Sequence, residues 1–241
     1  MKRLLQILVP AALVALLLTA CVVPPSPYGQ TLELLGGEYS LAAGSVTIVI
    51  DENGQNTVSL AGSGSGMQHY RLSVDEARKE IRLNMARGAI RMVDTRNIVL
   101  TVNAPVNSVR VSGSASVTYH DASVSSFSLQ ASGSCRGNFS FAQPLGRLDV
   151  RLSGSSNFTF AGAAEQVDYS ASGSSRIHAL GLTAQHVNLR MSGSGNVSQG
   201  FAAEGGTFSG SASGSSRIAY TGSPAISIRT SGSVRISPHS D

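Results

Sequence analysis

The sequence predicts an all-β solenoid, a chain wound into stacked coils of about 20 residues. The tripeptide Ser-Gly-Ser recurs with its glycines 18 to 21 residues apart, a period typical of solenoids, whose units bury their apolar side chains only against neighbouring units. Residues two, four and six positions before most of these glycines are apolar, and period two indicates a strand with one buried face. A shorter alternating segment follows most of the corners. The repeated glycines are Gly113, Gly133, Gly154, Gly173, Gly193, Gly214 and Gly232.

The period also resolves a conflict in the composition. A chain rich in glycine and serine resembles a disordered linker, yet 41% of the residues are hydrophobic and only 13% are charged. In a β-solenoid each strand pairs with its equivalent one coil away, at about 4.8 Å. We expect glycine at each corner because a corner needs a positive φ or leaves no room for a Cβ atom, and we expect serine to bond the local backbone there.

Residues 1–20 are predicted to be a lipoprotein signal peptide. Lys2 and Arg3 precede an apolar run that is shorter than the roughly 20 residues of a membrane span. The run ends in Leu-Thr-Ala before Cys21, which resembles the bacterial lipobox and predicts fatty acylation of Cys21, with palmitate among the acyl chains, and a stable lipid anchor. Valines follow Cys21, and by the sorting rule of enteric bacteria this predicts the outer membrane. An ordinary signal peptide or a retained transmembrane helix is the alternative.

Residues 21–30 form a proline-rich tether in this prediction, and residues 31–241 form the solenoid domain. Within it, residues 31–106 are irregular N-terminal coils and residues 107–236 are the regular repeats. A separate small N-terminal β domain is the alternative for residues 31–106. Residues 62–66 resemble a degenerate corner, and the charged segment 75–80 marks a solvated turn. Strands are predicted at residues 45–50, 57–61, 70–74, 80–85 and 98–102.

The corner sequences resemble those of the head GIN domain family, also called the autotransporter adhesin head domain. The segment 98–105, Ile-Val-Leu-Thr-Val-Asn-Ala-Pro, is similar to that family's strand before its first corner, and the resemblance covers most of residues 38 to 236. It implies a single-stranded, right-handed β-helix on a secreted or lipid-anchored envelope protein with no established enzymatic activity. The corner motifs are Ser153–Phe158, Ser172–Ile177, Ser192–Val197 and Ser213–Ile218.

The sequence offers no motif for catalysis, a metal or a cofactor. None of the five histidines stands at a metal-binding spacing. No glycine-rich string precedes a Lys-Ser/Thr pair, and the string at 62–66 lacks the context of a nucleophile elbow. Cys135 occupies a corner slot filled by small residues in other coils, and with Cys21 acylated it has no partner for an intramolecular disulfide. We therefore expect no catalytic residues, metal or cofactor.

One carboxylate pair is the best candidate for glycoside chemistry. Asp149 and Asp168 each stand five residues before a corner glycine, so we expect them to stack outward on adjacent coils. A carbohydrate-active enzyme needs clustered carboxylates, but a pair beside Arg151 is more simply an ion-paired surface.

Two arginine rows are predicted on the outer faces. The first arginine row stands three residues before alternate corner glycines, so its charges are about 9.6 Å apart, two strand spacings. The second arginine row follows the corners. Such rows suit the phosphate or carboxylate groups of envelope glycans or of a partner protein, although they can also be a solvated face that protects the sheet. The first row is Arg110, Arg151, Arg190 and Arg229; the second is Arg176, Arg217 and Arg235, with Arg136 as its least certain member.

These observations predict a non-catalytic lipoprotein of the bacterial outer membrane that presents the solenoid as an adhesin-like binding or structural surface. Its expected partners are the membrane, through the lipid, and anionic envelope glycans or another envelope protein. Removing Lys2 and Arg3 leaves 16 basic against 14 acidic residues, so we expect no nucleic-acid partner. A periplasm-facing partner protein and a carbohydrate-active β-helix enzyme are the alternatives.

Overall fold

The structure, a computed structural model, is a β-solenoid of about six turns. It describes the backbone of residues 21–22 and residues 29–62, 67–85, 97–201 and 205–239. The predicted signal peptide and most of the predicted corner at 62–66 lie outside these residues. Across them, the only helical element is a short 3-10 turn, Met67–His69, and no helix has the length and hydropathy to cross a membrane.

Twenty strands follow one another in the described residues. The N-terminal strands are β1 (Cys21–Val22), β2 (Gln30–Glu33), β3 (Tyr39–Ala43), β4 (Thr47–Asp51), β5 (Thr57–Ala61), β6 (Tyr70–Asp75), β7 (Glu80–Met85) and β8 (Val99–Asn103). The repeats supply β9 (Val106–Gly113), β10 (Ser116–Ala122), β11 (Ser126–Gly133), β12 (Arg136–Phe141), β13 (Leu145–Gly154), β14 (Asn157–Gly173), β15 (Arg176–Gly193), β16 (Asn196–Phe201), β17 (Thr207–Gly214), β18 (Arg217–Tyr220), β19 (Ala225–Gly232) and β20 (Arg235–Pro238).

The repeat strands form two parallel stacks that meet at the glycine corners. The first stack contains the strands before each corner, in the order β9, β11, β13, β14, β15, β17 and β19. The second contains the strands after each corner, in the order β10, β12, β14, β15, β16, β18 and β20. The long strands β14 and β15 belong to both stacks because they continue through the next bend without a break. The predicted coil, strand–corner–strand, is therefore confirmed.

The core consists of columns of equivalent side chains along the solenoid axis. In the first stack, Leu129 pairs in register with Val109 and Val150, and all three are fully buried. In the second stack, the rings of Phe139 and Phe160 stack with centroids 5.4 Å apart. Because every second side chain of each strand points inward, equivalent apolar side chains form continuous columns. These columns are the hydrophobic core of a chain that is rich in glycine and serine.

The seven corner glycines also form a column, and each has a φ between +76° and +107°. At Gly173, an added Cβ would lie 2.6 Å from the carbonyl oxygen of Gly154, one coil away. That oxygen accepts a hydrogen bond from the amide of Ser174 at 2.9 Å. The corner therefore needs glycine for both predicted reasons, the left-handed backbone and the lack of space.

The N-terminal strands join the same stacks but not in chain order. Strand β3 lies between β7 and β9, and β4 lies between β8 and β10. The coil made by β3 and β4 is thus inserted between two coils that come later in the chain. The antiparallel strands β6 and β5 cover β7 and β8, and β1 and β2 lie outside them. This end of the solenoid is therefore closed by antiparallel pairing.

The charged turn at residues 75–80 joins β6 to β7 and ties this cap to the first coil. Glu76 pairs with Lys79 at 2.8 Å and accepts a hydrogen bond from the Tyr39 hydroxyl at 2.7 Å. The Lys79 ammonium also lies over the Tyr39 ring, 4.9 Å from its centroid. These contacts hold the turn against β3. Part of the turn that was predicted to be solvated therefore packs against the first coil.

Candidate binding surface

The first arginine row lies on the outer face of the first stack. Strand alternation turns these residues outward, and the residues on either side of Arg110, Arg151 and Arg190 belong to the core. The register places a neutral polar residue between successive arginines, and the whole row is exposed. In order, the positions are Arg110, Gln130, Arg151, Ser170, Arg190, Ser211 and Arg229.

The two halves of this row differ in their hydrogen bonding. Arg110 donates from Nε to Oε1 of Gln130 at 2.9 Å, and Arg151 pairs with Asp149 at 2.9 Å. Arg190 and Arg229 have no hydrogen-bond or ion-pair partner among the residues that the structure describes. The half farther from the N-terminal cap therefore presents guanidinium groups that are free for a ligand.

The second arginine row lies on the outer face of the second stack. Its register runs Arg136, Asn157, Arg176, Asn196, Arg217 and Arg235. The structure places Arg136 in this row, and it brings Arg217 and Arg235 together on adjacent strands without a neutral residue between them. Within the described part of the chain, none of these four arginines has an ion-pair partner.

A cleft of about 570 Å³ lies along the first stack near the cap. Arg110, Gln130 and Arg151 line it, and it extends from Tyr70 on β6 to Ser170 on β14. It crosses seven strands, a length of about 29 Å at the normal strand spacing. The cleft therefore suits an extended ligand with anionic groups.

Tyr70 lies at the end of this cleft. The sequence predicts it only as the first residue of a strand and does not mark it as a site residue. Its side chain is 1% exposed, and its hydroxyl has no hydrogen-bond partner among the described residues. Burial raises the pKa of Tyr70 to about 12. The hydroxyl is therefore a neutral polar group to which the described part of the fold offers no partner.

Asp149 and Asp168 lie in register on adjacent strands, as predicted. Each carboxylate has its own guanidinium, since Asp149 pairs with Arg151 at 2.9 Å and Asp168 with Arg147 at 2.6 Å. Asn188 also donates to Asp168 at 3.1 Å. This arrangement is an ion-paired surface. No group of three metal-ligating side chains occurs in the described residues.

Cys135 is a buried corner residue. Its thiol lies 3.4 Å from the carbonyl oxygen of Ser132 and 3.7 Å from that of Gly113. Ser175 bonds the two equivalent carbonyl oxygens at 3.4 Å in its own coil. Burial raises the pKa of the Cys135 thiol, which is 1% exposed. Cys135 therefore takes the place of a corner serine.

The backbone of Cys21 lies at the capped end of the first stack. Cys21 and Val22 pair antiparallel with Val74 and Ser73 on β6, and β2 begins at Gln30. The two ends of the predicted tether are therefore in strands. Ten strand spacings separate β1 from β19 along this stack, about 48 Å.

The chain was compared with protein families, with curated proteins and with solved structures. Residues 41–224 match the family model described as "Putative auto-transporter adhesin, head GIN domain". The sequence matches none of the curated proteins with which it was compared.

Three crystal structures share the fold. A "putative adhesin" from Bacteroides fragilis has a TM-score of 0.67 at 17% identity, over 90% of this chain and 100% of the other. A "putative adhesin" from Parabacteroides distasonis has a TM-score of 0.63 at 16% identity, over 91% and 97%. A "putative lipid binding protein" from the same species has a TM-score of 0.55 at 17% identity, over 90% and 99%. At these identities the similarity establishes the fold alone.

Proposed function

The chain belongs to the head GIN domain family, and from this membership and the lipobox-like sequence before Cys21 we propose a lipid-anchored protein of the bacterial outer membrane whose solenoid is a non-catalytic, adhesin-like binding surface. Its ligands in this proposal are anionic envelope glycans. The observation that carries the proposal is the pair of arginine rows, held in register on rigid parallel strands.

The chemistry of the rows supports an anionic polymer. A guanidinium group binds carboxylate or phosphate with two parallel hydrogen bonds. Charges about 9.6 Å apart on one face can bind successive acidic groups of one chain, and linked weak contacts give a higher total affinity than any single contact. The cleft adds Arg110, Gln130 and Arg151 to this surface.

The distribution of charge along the solenoid supports the proposed orientation. Beyond Asp168 the sequence has five arginines but only two acidic residues, Glu204 and Asp241. Cys21 lies beside β6 at the opposite, capped end. A lipid on Cys21 would therefore leave the basic coils as the part of the protein farthest from the membrane.

The test compares charge-removing variants within the first row. The double variant Arg190→Gln/Arg229→Gln removes the two unpaired guanidinium groups, and Arg110→Gln/Arg151→Gln removes the two paired ones. The control Arg147→Gln removes the same type of charge outside the rows. Binding to polygalacturonate and to lipopolysaccharide is measured at low and high salt, because contacts with exposed charges weaken as salt rises.

We expect Arg190→Gln/Arg229→Gln to weaken low-salt binding by about 2- to 30-fold, since two exposed ion pairs contribute about 0.4–2 kcal/mol. Arg110→Gln/Arg151→Gln should lose less binding affinity, because these two side chains already have partners within the protein. Absence of binding, or an equal loss in Arg147→Gln, would show that the rows are only a solvated face.

Two further experiments separate the alternatives. Digestion by an external protease on intact cells supports surface display, whereas complete protection favours a periplasm-facing partner protein. Turnover of acidic glycans that disappears in both Asp149→Asn and Asp168→Asn would establish the enzyme instead.

A further inference from the structure

The C-terminal end of the solenoid is open, in contrast to the capped N-terminal end. Strand β19 pairs only with β17, and β20 pairs only with β18, within the described residues. Each strand therefore has one edge whose N–H and C=O groups have no strand partner. Pro238 ends β20 without an N–H group, so β19, with eight residues, is the longer edge.

The apolar side chains of this coil are also more exposed than their equivalents in the coil before it. Ile226 is 41% exposed, whereas Phe208, its register partner on β17, is fully buried. Each coil of a solenoid buries its apolar face against the next one, and no described strand covers this one. The partly buried residues of the same coil are Ile228, Val234 and Ile236.

The charge around this edge identifies the kind of partner. Arg229 points outward from β19 between inward-facing residues, and Arg217 and Arg235 lie together on the second stack. In the described coils beyond Asp168 there is no acidic residue. A second copy of the chain would bring the same basic edge against this one, whereas an acidic strand would complement it.

We propose that the edge of β19 binds one extended segment of a partner protein, in which acidic residues alternate with aliphatic ones. The segment adds a strand to the first stack, so its backbone satisfies the open N–H and C=O groups. Its aliphatic side chains cover Ile226 and Ile228, and its acidic side chains lie beside Arg229. This site shares Arg229 with the glycan surface but differs from it, since it requires backbone pairing and apolar contact.

The test uses the full chain and a labelled octapeptide, acetyl-Ser-Glu-Ile-Glu-Val-Glu-Ile-Ser-amide. Fluorescence anisotropy measures binding, and hydrogen exchange measures protection of the amides at residues 225–232. Three control peptides replace Glu by Lys, replace Ile and Val by Ser, or place Pro at the centre. We expect binding of the first peptide only, with slower amide exchange in β19.

The protein variants test the same edge. Ile226→Glu places a negative charge at the exposed position and should weaken peptide binding at least tenfold, whereas Arg229→Gln should weaken it a fewfold. Leu35→Glu is the matched control, because Leu35 is 73% exposed outside β19 and β20. Circular dichroism and urea unfolding establish that each variant is folded.

Three outcomes would overturn the proposal. Equal binding of the Ser-substituted peptide would show a purely electrostatic contact, and unchanged exchange in β19 would exclude strand addition. A dimer in sedimentation velocity that dissociates in Ile226→Glu would show that the edge binds a second copy.

Discussion

The substitution Gly173→Ala tests whether the corner column holds the coils together. Gly173 has a φ of +86°, and a Cβ there would lie 2.6 Å from the carbonyl oxygen of Gly154. That oxygen belongs to the backbone and already accepts the amide of Ser174 at 2.9 Å. The new methyl group can therefore fit only if two coils separate at this corner.

The expected cost has two parts. A non-glycine residue in the left-handed region costs about 1–2 kcal/mol, and forcing a methyl group into a packed site costs about 1–3 kcal/mol more. The free energy of unfolding should therefore fall by about 2–5 kcal/mol. With a urea slope of about 3 kcal/mol per molar, the unfolding midpoint should drop by about 0.7–1.7 M.

Two other glycines separate these parts. Gly54 has a φ of +77° but open space around its Cβ position, so Gly54→Ala should cost only the conformational part, about 1–2 kcal/mol. Gly146 has no positive φ, and its Cβ would lie 3.6 Å from the nearest atom, so Gly146→Ala should be neutral or slightly stabilising. Urea unfolding followed by circular dichroism measures all three. Equal midpoints for Gly173→Ala and Gly54→Ala would refute the packing argument.

Four further predictions concern buried or reactive side chains. Tyr70→Phe removes a hydroxyl without a partner, so it should raise the free energy of unfolding by about 1 kcal/mol. The raised pKa of Tyr70, about 12 against an ordinary 10.0, means that burial disfavours the ionised form in the native state, so the free energy of unfolding is unaffected below about pH 10 and falls as the pH rises to about 12. Tyr70→Phe should therefore also reduce the loss of stability in this range, and a urea titration at several pH values that shows no such change would contradict the assignment. Tyr169→Phe should instead lower the free energy of unfolding by about 1–3 kcal/mol, because the Tyr169 hydroxyl donates to Oε1 of the fully buried Gln199 at 2.7 Å. The Cys135 thiol should not react with a water-soluble thiol reagent at pH 7.5 until urea unfolds the chain, and rapid reaction of the native protein would show that the corner opens. Cys21→Ser should abolish labelling by radioactive palmitate and release the protein from the membrane fraction, and unchanged labelling would exclude Cys21 as the lipid site.

The sequence was most informative where structure depends on local pattern. The predicted strands at 57–61 and 80–85 agree with β5 and β7 at both ends, because period-two apolarity marks which residues face a core. The corner glycines fixed the register of the repeats, since a one-residue slip would turn every apolar side chain outward. The arginine rows followed from that register, including the alternation of Arg110 with Gln130.

The arrangement of residues 31–106 could not be obtained in this way. Thr47 pairs with Val99 on one side and Ser116 on the other, so the coil of β3 and β4 lies between two later ones. Backbone N–H and C=O groups can pair any two extended segments, whatever side chains those segments have. Many strand orders are therefore compatible with the same pattern of apolar residues.

The sequence by itself determined the solenoid class, the position of the corners and the residues that face outward, because these depend on spacings within 20 residues. Only the tertiary structure decided which side chains are free to bind. Among the described residues, Arg151 has an ion-pair partner whereas Arg190 has none, and Ile226 is exposed whereas the equivalent Phe208 is buried. The physical reason is that pairing and burial depend on what the neighbouring coil supplies, and the capped and open ends of the stack supply different neighbours to the same repeat.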